Sequence, residues 1–245
     1  MNKWYNKEEL EEKIKNSQND LLKISLDHNS SKLYDPECFH YMNFYWRNFK
    51  DLRDKPIKIL EIGVKEGESL RIWSEFFKHP DTQIHGIEIN PEPLKNFSLE
   101  RTTISYGDQT DLIFLSDLVR KFGQFDIIID DGGHTQYQMV NTLEFMFKYG
   151  LKEGGIYAIE DMGCSYWPKW GGSLTNPETP INSLKSKVDT VNFRFWKGGR
   201  NEYIGIPDYE NIGANYWDEN LESIYFAKGM CFLFKGGEEL RENNK

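Results

Sequence analysis

The chain has 245 residues, of which 38% are hydrophobic and 15% aromatic, and its formal net charge is −9. This length suits one large α/β domain with elaborations, and an acidic chain without a basic stripe argues against a nucleic-acid partner. Three widely spaced cysteines, Cys38, Cys164 and Cys231, exclude a disulfide framework and supply no zinc-binding spacing. The polar first twenty residues hold no signal-peptide core, and no run is long and apolar enough to cross a membrane. We therefore expect a cytoplasmic protein.

Residues 1–55 predict a helical and aromatic N-terminal cap. The stretch 3–23 carries apolar residues at a loose helical spacing, and 34–49 is dense in Phe, Tyr and Trp. Aromatic residues at helical spacing indicate core packing more often than a ligand site. We therefore expect these side chains to form part of the core.

From residue 57 onward, short apolar strands alternate with helices. The predicted strands cover 57–62, 83–89, 102–106, 125–129 and 155–159, and the predicted helices cover 69–77, 91–99, 111–122 and 136–149. This alternation predicts βαβ units and a doubly wound, Rossmann-like α/β sheet that is mostly parallel. Two further strands, 221–226 and 230–235, flank Ala227-Lys228-Gly229 and predict an antiparallel hairpin at the C-terminal end of the sheet.

We predict that residues 56–245 form the α/β domain. A stretch rich in Trp, Gly and Pro, 162–204, interrupts its alternation of strands and helices. It is too long for a simple connector. We expect it to be an inserted lid or substrate-binding loop.

Each of the five predicted parallel strands ends in, or next to, an acidic residue. These residues are Glu61, Glu88, Asp108, the pair Asp130-Asp131 and the pair Glu160-Asp161. The carboxyl ends of parallel strands face one crevice, and ligands bind there. Acidic residues at the same topological position of all five strands are hard to explain as solvated loop residues, so the pattern predicts a binding site.

The first strand runs into a glycine turn, Glu61-Ile62-Gly63-Val64-Lys65-Glu66-Gly67, that lacks the dinucleotide fingerprint. A tight structural turn would explain the glycines equally well. Glu88, which closes the second strand, is placed to accept hydrogen bonds from two ribose hydroxyls, and Asp108 with Gln109 could read an adenine edge. An adenosine site without a phosphate cradle favours S-adenosylmethionine, with Glu61 near its charged methionine end.

Three carboxylates, Asp131, Glu160 and Asp161, follow two strands that are neighbours in a doubly wound sheet. They would repel one another unless a cation neutralises them. Ligation by oxygen alone suits Mg²⁺ or another hard divalent cation. His134 comes one short turn after Asp131, close enough to serve as a general base, although a lone histidine at a helix N-terminus is more often structural.

These residues resemble the macrocin and mycinamicin type of sugar O-methyltransferases, a family with the class I S-adenosylmethionine-dependent fold. The matching segments are His40-Tyr41 with Tyr45, then 60–71 (LEIGVKEGESLR), 107–111 (GDQTD), 129–134 (IDDGGH), 159–161 (IED) and 165–172 (SYWPKWGG). The combination of the last three segments is specific, whereas the glycine turn alone is not. Residues 173–245 match poorly.

The resemblance implies Mg²⁺ on Asp131, Glu160 and Asp161, with His134 as the catalytic base. One departure is Gly133, where the family commonly has serine, and it leaves the stiffness of this loop in question. We predict that the cofactor is bound by the following residues: Glu61, Gly63, Gly67, Ser69, Glu88, Asp108, Gln109 and Asp130.

We therefore predict a Mg²⁺-dependent enzyme that methylates a sugar hydroxyl with S-adenosylmethionine. One alternative is a methyltransferase that acts on a vicinal diol outside sugars, such as a natural product. A second is an S-adenosylmethionine-binding partner protein without catalysis, and a weaker third, a non-haem iron oxygenase, lacks a second histidine near His134. The sequence is compatible with a homo-oligomer.

The acceptor is predicted from composition and from one aromatic segment. Lys outnumbers Arg 22 to 8, a bias typical of an AT-rich coding sequence, whereas the antibiotic-tailoring relatives come from GC-rich producers. We expect a bacterial surface polysaccharide, or its nucleotide-sugar precursor, rather than a macrolide. Tyr166, Trp167 and Trp170 could pack against a sugar ring, although packing of the lid onto the core explains them about equally well.

Overall fold

The computed structural model describes residues 4–193 and 215–237. Seven strands form one sheet in the order β3-β2-β1-β4-β5-β7-β6. The first five strands pair in parallel, and β7 pairs antiparallel with both β5 and β6. This arrangement confirms the predicted doubly wound, mostly parallel sheet with a C-terminal antiparallel hairpin.

The strands are β1 (Lys58–Ile62), β2 (Gln83–Glu88), β3 (Thr102–Tyr106), β4 (Phe125–Asp130), β5 (Leu151–Ile159), β6 (Leu221–Ala227) and β7 (Met230–Lys235). The described α-helices are α1 (Lys7–Ile14), α2 (Asp20–Asp27), α3 (Ser31–Tyr34), α4 (Tyr41–Phe49), α5 (Glu68–Phe76), α6 (Leu112–Phe122), α7 (Gln136–Phe145), α8 (Pro180–Val191) and α9 (Tyr216–Asn220). Among the described helices, none is both long and apolar enough to span a bilayer.

The N-terminal cap packs directly on one face of the sheet. Tyr45 and Phe49 of α4 contact Trp73 of α5 and Phe232 of β7, with ring centroids 5.1–6.3 Å apart. All four side chains are almost completely buried. The aromatic segment is therefore core, as its spacing indicates, and the cap shares its hydrophobic cluster with the strands.

Two predicted helices differ in the structure. The stretch 3–23 is split by Asn19, whose side chain accepts hydrogen bonds from the first backbone N–H groups of α2. The helix expected over 91–99 is wrong, because only a 3₁₀ turn forms, Glu92–Leu94. The Phe97 ring instead packs against Gly67 and under the guanidinium of Arg71, so a tertiary contact overrides the local propensity.

The segment after β5 begins with two 3₁₀ turns, Met162–Tyr166 and Pro168–Trp170, and continues into α8. Lys187 of α8 pairs with Glu144 of α7 at 3.0 Å, so this part of the expected insertion is attached to the domain. The rest of the expected lid, from 194 to 204, lies outside the described residues. A lid that closes over an acceptor stays a prediction.

His85 of β2 gives the fold a testable pH dependence. The residue is 5% exposed, its ring packs at a tilt against Phe122 with centroids 4.3 Å apart, and neither ring nitrogen has a partner among the described residues. Burial, and then the charges of Lys58 and Lys121, lower the pKa of His85 to about 4. Because this pKa lies below the unfolded value, the neutral ring stabilises the fold above about pH 6.5, and this contribution is lost as the pH falls towards 4.

We therefore expect His85→Leu to remove this acid-dependent loss of stability. Between about pH 7 and about pH 5, the free energy of unfolding of the wild type should lose roughly 2 kcal/mol that the variant retains. Urea denaturation at the two pH values measures this difference. Parallel losses in the two proteins would show that His85 does not titrate on unfolding.

Candidate active site

A pocket opens at the carboxyl ends of β1, β2 and β4. Of the residues predicted to bind a cofactor, Gly63, Glu88, Asp108 and Gln109 line it. Asp131 and His134 line the same pocket. The strand-end pattern therefore brings these side chains together around one cavity, as expected for an open parallel sheet.

Gly63 lets two loops of this pocket approach each other. Its φ is +84°, and a Cβ on it would lie 2.3 Å from the carbonyl oxygen of Asp131 and 2.5 Å from Cα of Gly132. A side chain at this position is excluded by both the backbone conformation and the space. The glycine turn thus sets the distance between β1 and the loop after β4.

Glu61 lies behind the turn, where it is 1% exposed. Trp73 Nε1 donates to its carboxylate at 3.0 Å, and burial raises the pKa of Glu61 to about 7. Ser69 lies in the first turn of α5, and Gly67 abuts Phe97. None of these three residues lines the described pocket, so their roles in cofactor binding stay predictions.

Asp130 and Gln109 hold the loop after β4 from inside. Asp130 is 3% exposed and accepts hydrogen bonds from Tyr157 at 3.0 Å and from Gln109 Nε2 at 3.3 Å. The side-chain oxygen of Gln109 in turn accepts the backbone N–H of Gly133 at 2.5 Å. The amide predicted to read an adenine edge is therefore engaged in fixing the loop that carries Asp131 and His134.

Glu88 stands at the rim of the pocket. Its carboxylate accepts the backbone N–H of Lys65 at 2.7 Å and that of Asn90 at 3.0 Å. Both bonds fix the side chain at the end of β2, next to the glycine turn. The position agrees with the geometry expected for a ribose partner, which stays a prediction.

Asp131, His134 and Asp161 form a compact cluster. One ligand atom from each lies within 4.8 Å of the other two, and His134 Nε2 is 3.4 Å from Asp161 Oδ2. Asp161 adopts a left-handed backbone with φ 52°, uncommon outside glycine, and Tyr41 donates to its Oδ1 at 3.0 Å. Two carboxylates and an imidazole at these distances fit a divalent cation.

Glu160 is engaged differently from its two predicted co-ligands. It is 1% exposed, and its carboxylate accepts hydrogen bonds from Tyr45 and from Lys32, each at 2.5 Å. Lys32 Nζ also lies 2.8 Å from Asp131 Oδ2. Burial opposes the ammonium charge, but the carboxylates of Asp131 and Glu160 outweigh it and hold the pKa of Lys32 well above its usual value.

Sequence reasoning missed Lys32 and the two tyrosines at this site. The segment His40-Tyr41 with Tyr45 was a usable signal, since Tyr41 and Tyr45 lie four residues apart on one face of α4. Lys32 precedes them on a separate short helix. Its partners, Asp131 and Glu160, are remote from it in the sequence.

A second pocket lies on the other side of Asp161. Three segments line it: 35–41 of the cap, 161–167 after β5, and Lys228-Gly229 in the hairpin turn. Of the predicted acceptor residues, Trp167 lines this pocket and is 53% exposed. Tyr166 is 41% exposed, and Trp170 packs edge-on against His134 at 5.5 Å.

No protein-family model matches the chain. Mycinamicin VI 2''-O-methyltransferase of Micromonospora griseorubida is 32% identical over 228 residues, which are 87% of this chain and 53% of that protein. Demethylmacrocin O-methyltransferase of Streptomyces fradiae is 30% identical over 202 residues, which are 78% of this chain and 47% of that protein.

Solved structures agree with these sequence relatives. MycE methyltransferase from the mycinamycin biosynthetic pathway, in complex with Mg and SAH, matches 89% of this chain and 54% of its own with a TM-score of 0.75 and 30% identity. Its complex with Mg, SAH and mycinamycin VI matches 98% of this chain and 68% of its own, with a TM-score of 0.74 and 26% identity. The chain is a homologue of the macrocin and mycinamicin type of sugar O-methyltransferases.

The resemblance stated from the sequence motifs is thereby confirmed. The similarity extends over most of this chain and includes the methyltransferase sheet. The chain spans about half the length of the curated relatives it matches.

The contact between the β1 turn and the Asp131 loop can be tested with two glycines of similar backbone conformation. Gly63→Ala should destabilise the fold by at least about 2–3 kcal/mol, because the new methyl group meets main-chain atoms that cannot move aside. Gly154 also has a positive φ, 71°, but open space around it. Gly154→Ala should therefore cost only the backbone term of about 1 kcal/mol.

Chemical denaturation of both variants measures the difference. Equal losses would mean that Gly63 is needed for its backbone angle alone, and that the two loops can move apart.

Proposed function

We propose that this chain transfers a methyl group from S-adenosylmethionine to a sugar hydroxyl, with Mg²⁺ held at Asp131, Glu160 and Asp161. One observation carries the proposal: the carboxylate–histidine cluster contributes to the lining of both pockets. Asp131 and His134 line the pocket at the sheet edge, and Asp161 lines the pocket formed with the cap and the hairpin. A methyl donor and an acceptor bound in these pockets would meet at the cluster.

The first pocket fits S-adenosylmethionine in shape and charge. Gly63 and Gly132 expose main chain to it, and Glu88 and Asp108 supply acceptors for hydroxyl and amine groups. Its described lining offers only one cation, Lys65, and no basic cradle for a pyrophosphate. The methyltransferase MycE, similar in sequence and fold, is in complex with SAH.

The donor set of the cluster fits Mg²⁺, which prefers oxygen ligands. Asp131, Glu160 and Asp161 would hold the ion, and the Glu160 carboxylate also accepts a hydrogen bond from Lys32. When bound, Mg²⁺ supplies a charge that lowers the pKa of an acceptor hydroxyl. The related MycE structures contain Mg.

His134 is left as the proton acceptor, because a hard ion with carboxylate ligands does not require an imidazole. Its ring is held by Asp161 on one side and by the edge of Trp170 on the other. This orientation keeps Nε2 directed at the cluster, where it can remove the hydroxyl proton as the oxygen attacks the sulfonium methyl group.

The second pocket is our candidate for the acceptor. Tyr41 and Trp167 offer aromatic surface and Asp161 offers a polar anchor, a combination that suits a sugar ring. The relatives bear the names of enzymes that act on glycosylated antibiotics, so a sugar on a small molecule is the first acceptor to test. A surface polysaccharide or a nucleotide-sugar stays a prediction with no support from these relatives.

The test is production of S-adenosylhomocysteine with a panel of acceptors: glycosylated macrolides, free and nucleotide-linked deoxysugars, surface glycans and catechol. Turnover should require a sugar diol, should stop in EDTA and should return with excess Mg²⁺. Asp161→Asn should lose most activity yet bind S-adenosylhomocysteine with nearly the affinity of the wild type. Turnover that persists in chelator would overturn the metal assignment, and catechol as the preferred acceptor would overturn the sugar.

The role of His134 is tested separately. His134→Ala should lower kcat by roughly 10²–10⁴-fold, the usual contribution of a positioned proton acceptor. Calorimetric titrations with S-adenosylhomocysteine and with Mg²⁺ should give affinities close to those of the wild type. If Mg²⁺ binding is lost as well, His134 is a metal ligand and another group removes the proton.

A further inference from the structure

Gln136 joins the helix that follows His134 to a loop that lines the second pocket. It is the first residue of α7, and its Nε2 donates to the carbonyl oxygens of Cys164 and Trp170, each at 3.1 Å. The residue is 8% exposed, so both bonds are shielded from solvent. Two carbonyls that are six residues apart in the chain thus share the two N–H groups of one amide.

The segment that contains these two carbonyls, residues 164–172, folds back on itself, and we call it the tryptophan loop. The carbonyl oxygen of Trp167 accepts the backbone N–H groups of Trp170 at 2.9 Å and of Gly172 at 3.0 Å. A Cβ on Gly172 would lie 2.4 Å from the carbonyl oxygen of Cys164, so the two ends of the loop touch. Because the loop is tied internally in this way, we expect it to move as one body.

The tryptophan loop contacts both the acceptor side of the site and the proposed base. Cys164 and Trp167 line the second pocket. The Trp170 ring packs edge-on against the His134 ring, with centroids 5.5 Å apart. Gln136 itself lines neither of these two pockets, so its amide acts through the loop rather than on a ligand.

We propose that Gln136 is a positioning residue: its amide fixes the tryptophan loop against α7 and thereby sets the wall of the acceptor pocket relative to His134. Two carbonyl oxygens need a group with two donors, and a thioether of similar length has none. The kinetic part of this proposal rests on the proposed function, whereas the attachment of the loop does not.

Gln136→Met keeps a long, unbranched side chain and removes both donors. The backbone amides of 164–172 should exchange with deuterium about tenfold faster or more, the change expected when two hydrogen bonds are lost. With a sugar acceptor that gives turnover, kcat should fall and KM for the acceptor should rise, each by about tenfold, because His134 and the pocket wall lose their support. The Kd for S-adenosylhomocysteine should not change, because Gln136 does not line the first pocket.

Lys187→Met is the matched control, because it removes another contact between α7 and the segment after β5. Lys187 pairs at 3.0 Å with Glu144, which lies at the opposite end of α7 from Gln136, and its side chain is 10% exposed. This variant should unfold at a lower temperature than the wild type, as followed by circular dichroism. It should keep the exchange rates of 164–172 and both kinetic constants.

Gln136→Asn keeps the experiment decisive if the methionine variant misfolds. Its amide is one methylene shorter, so it should hold the loop only in part, with exchange faster than in the wild type. If exchange of 164–172 stays at the wild-type rate in the Gln136 variants, or rises equally in Lys187→Met, Gln136 does not position the loop and the proposal is overturned. A loop that exchanges faster while kcat and KM stay unchanged would overturn it as well.

The failure of the proposed function would look different. If the wild type turns over no sugar acceptor, methyl transfer to a sugar falls as the function. The attachment of the tryptophan loop by Gln136 is then judged by deuterium exchange alone, in the wild type and the three variants.

Discussion

Carboxylates that converge at one edge of a buried sheet repel one another, and this constraint organises the rest of the molecule. Parallel strands deliver the acids to a single crevice, so each acid needs a donor or a cation nearby. Glu61 and Asp130 are stabilised by hydrogen bonds from neutral groups, and Glu160 by a lysine and a tyrosine. Asp131 and Asp161 keep 21% and 37% of their side chains exposed. The two acids that remain accessible are those best placed to bind a ligand.

The cap is part of this arrangement. Its helices bury the aromatic rings of Tyr45 and Phe49 against the sheet, and the same segment turns polar atoms towards the acids. Holding a hydroxyl or an ammonium group in one position costs conformational entropy. Burial of the aromatic rings on the same segment offsets this cost. The cap therefore couples the hydrophobic core to the electrostatics of the site.

The sequence predicts the parts of the molecule that depend on short-range pattern. Apolar strands, the acid after each strand and the hairpin around Gly229 all follow from local periodicity, and the structure has them where they are expected. The helix predicted over 91–99 does not form, because the Phe97 ring packs against Gly67, thirty residues earlier in the chain. No local sequence pattern identifies Lys32 as a site residue, because its partners lie at the ends of β4 and β5. The contacts of a side chain are likewise set by the fold: Gln109 accepts the main-chain N–H of Gly133, which no local pattern predicts, and its role towards adenine stays a prediction.

The second pocket is built from three segments that are remote in the chain, and this has an evolutionary consequence. The cap and the hairpin turn meet there directly, since His40 Nε2 lies 3.1 Å from the carbonyl oxygen of Lys228 and Tyr41 donates to that of Gly229. Neither segment contributes to the lining of the first pocket. Point mutations and short insertions in 35–38, or around the hairpin turn, can therefore reshape one cavity while the other keeps its form. Such a division lets a lineage explore new small molecules without rebuilding the machinery that it already has.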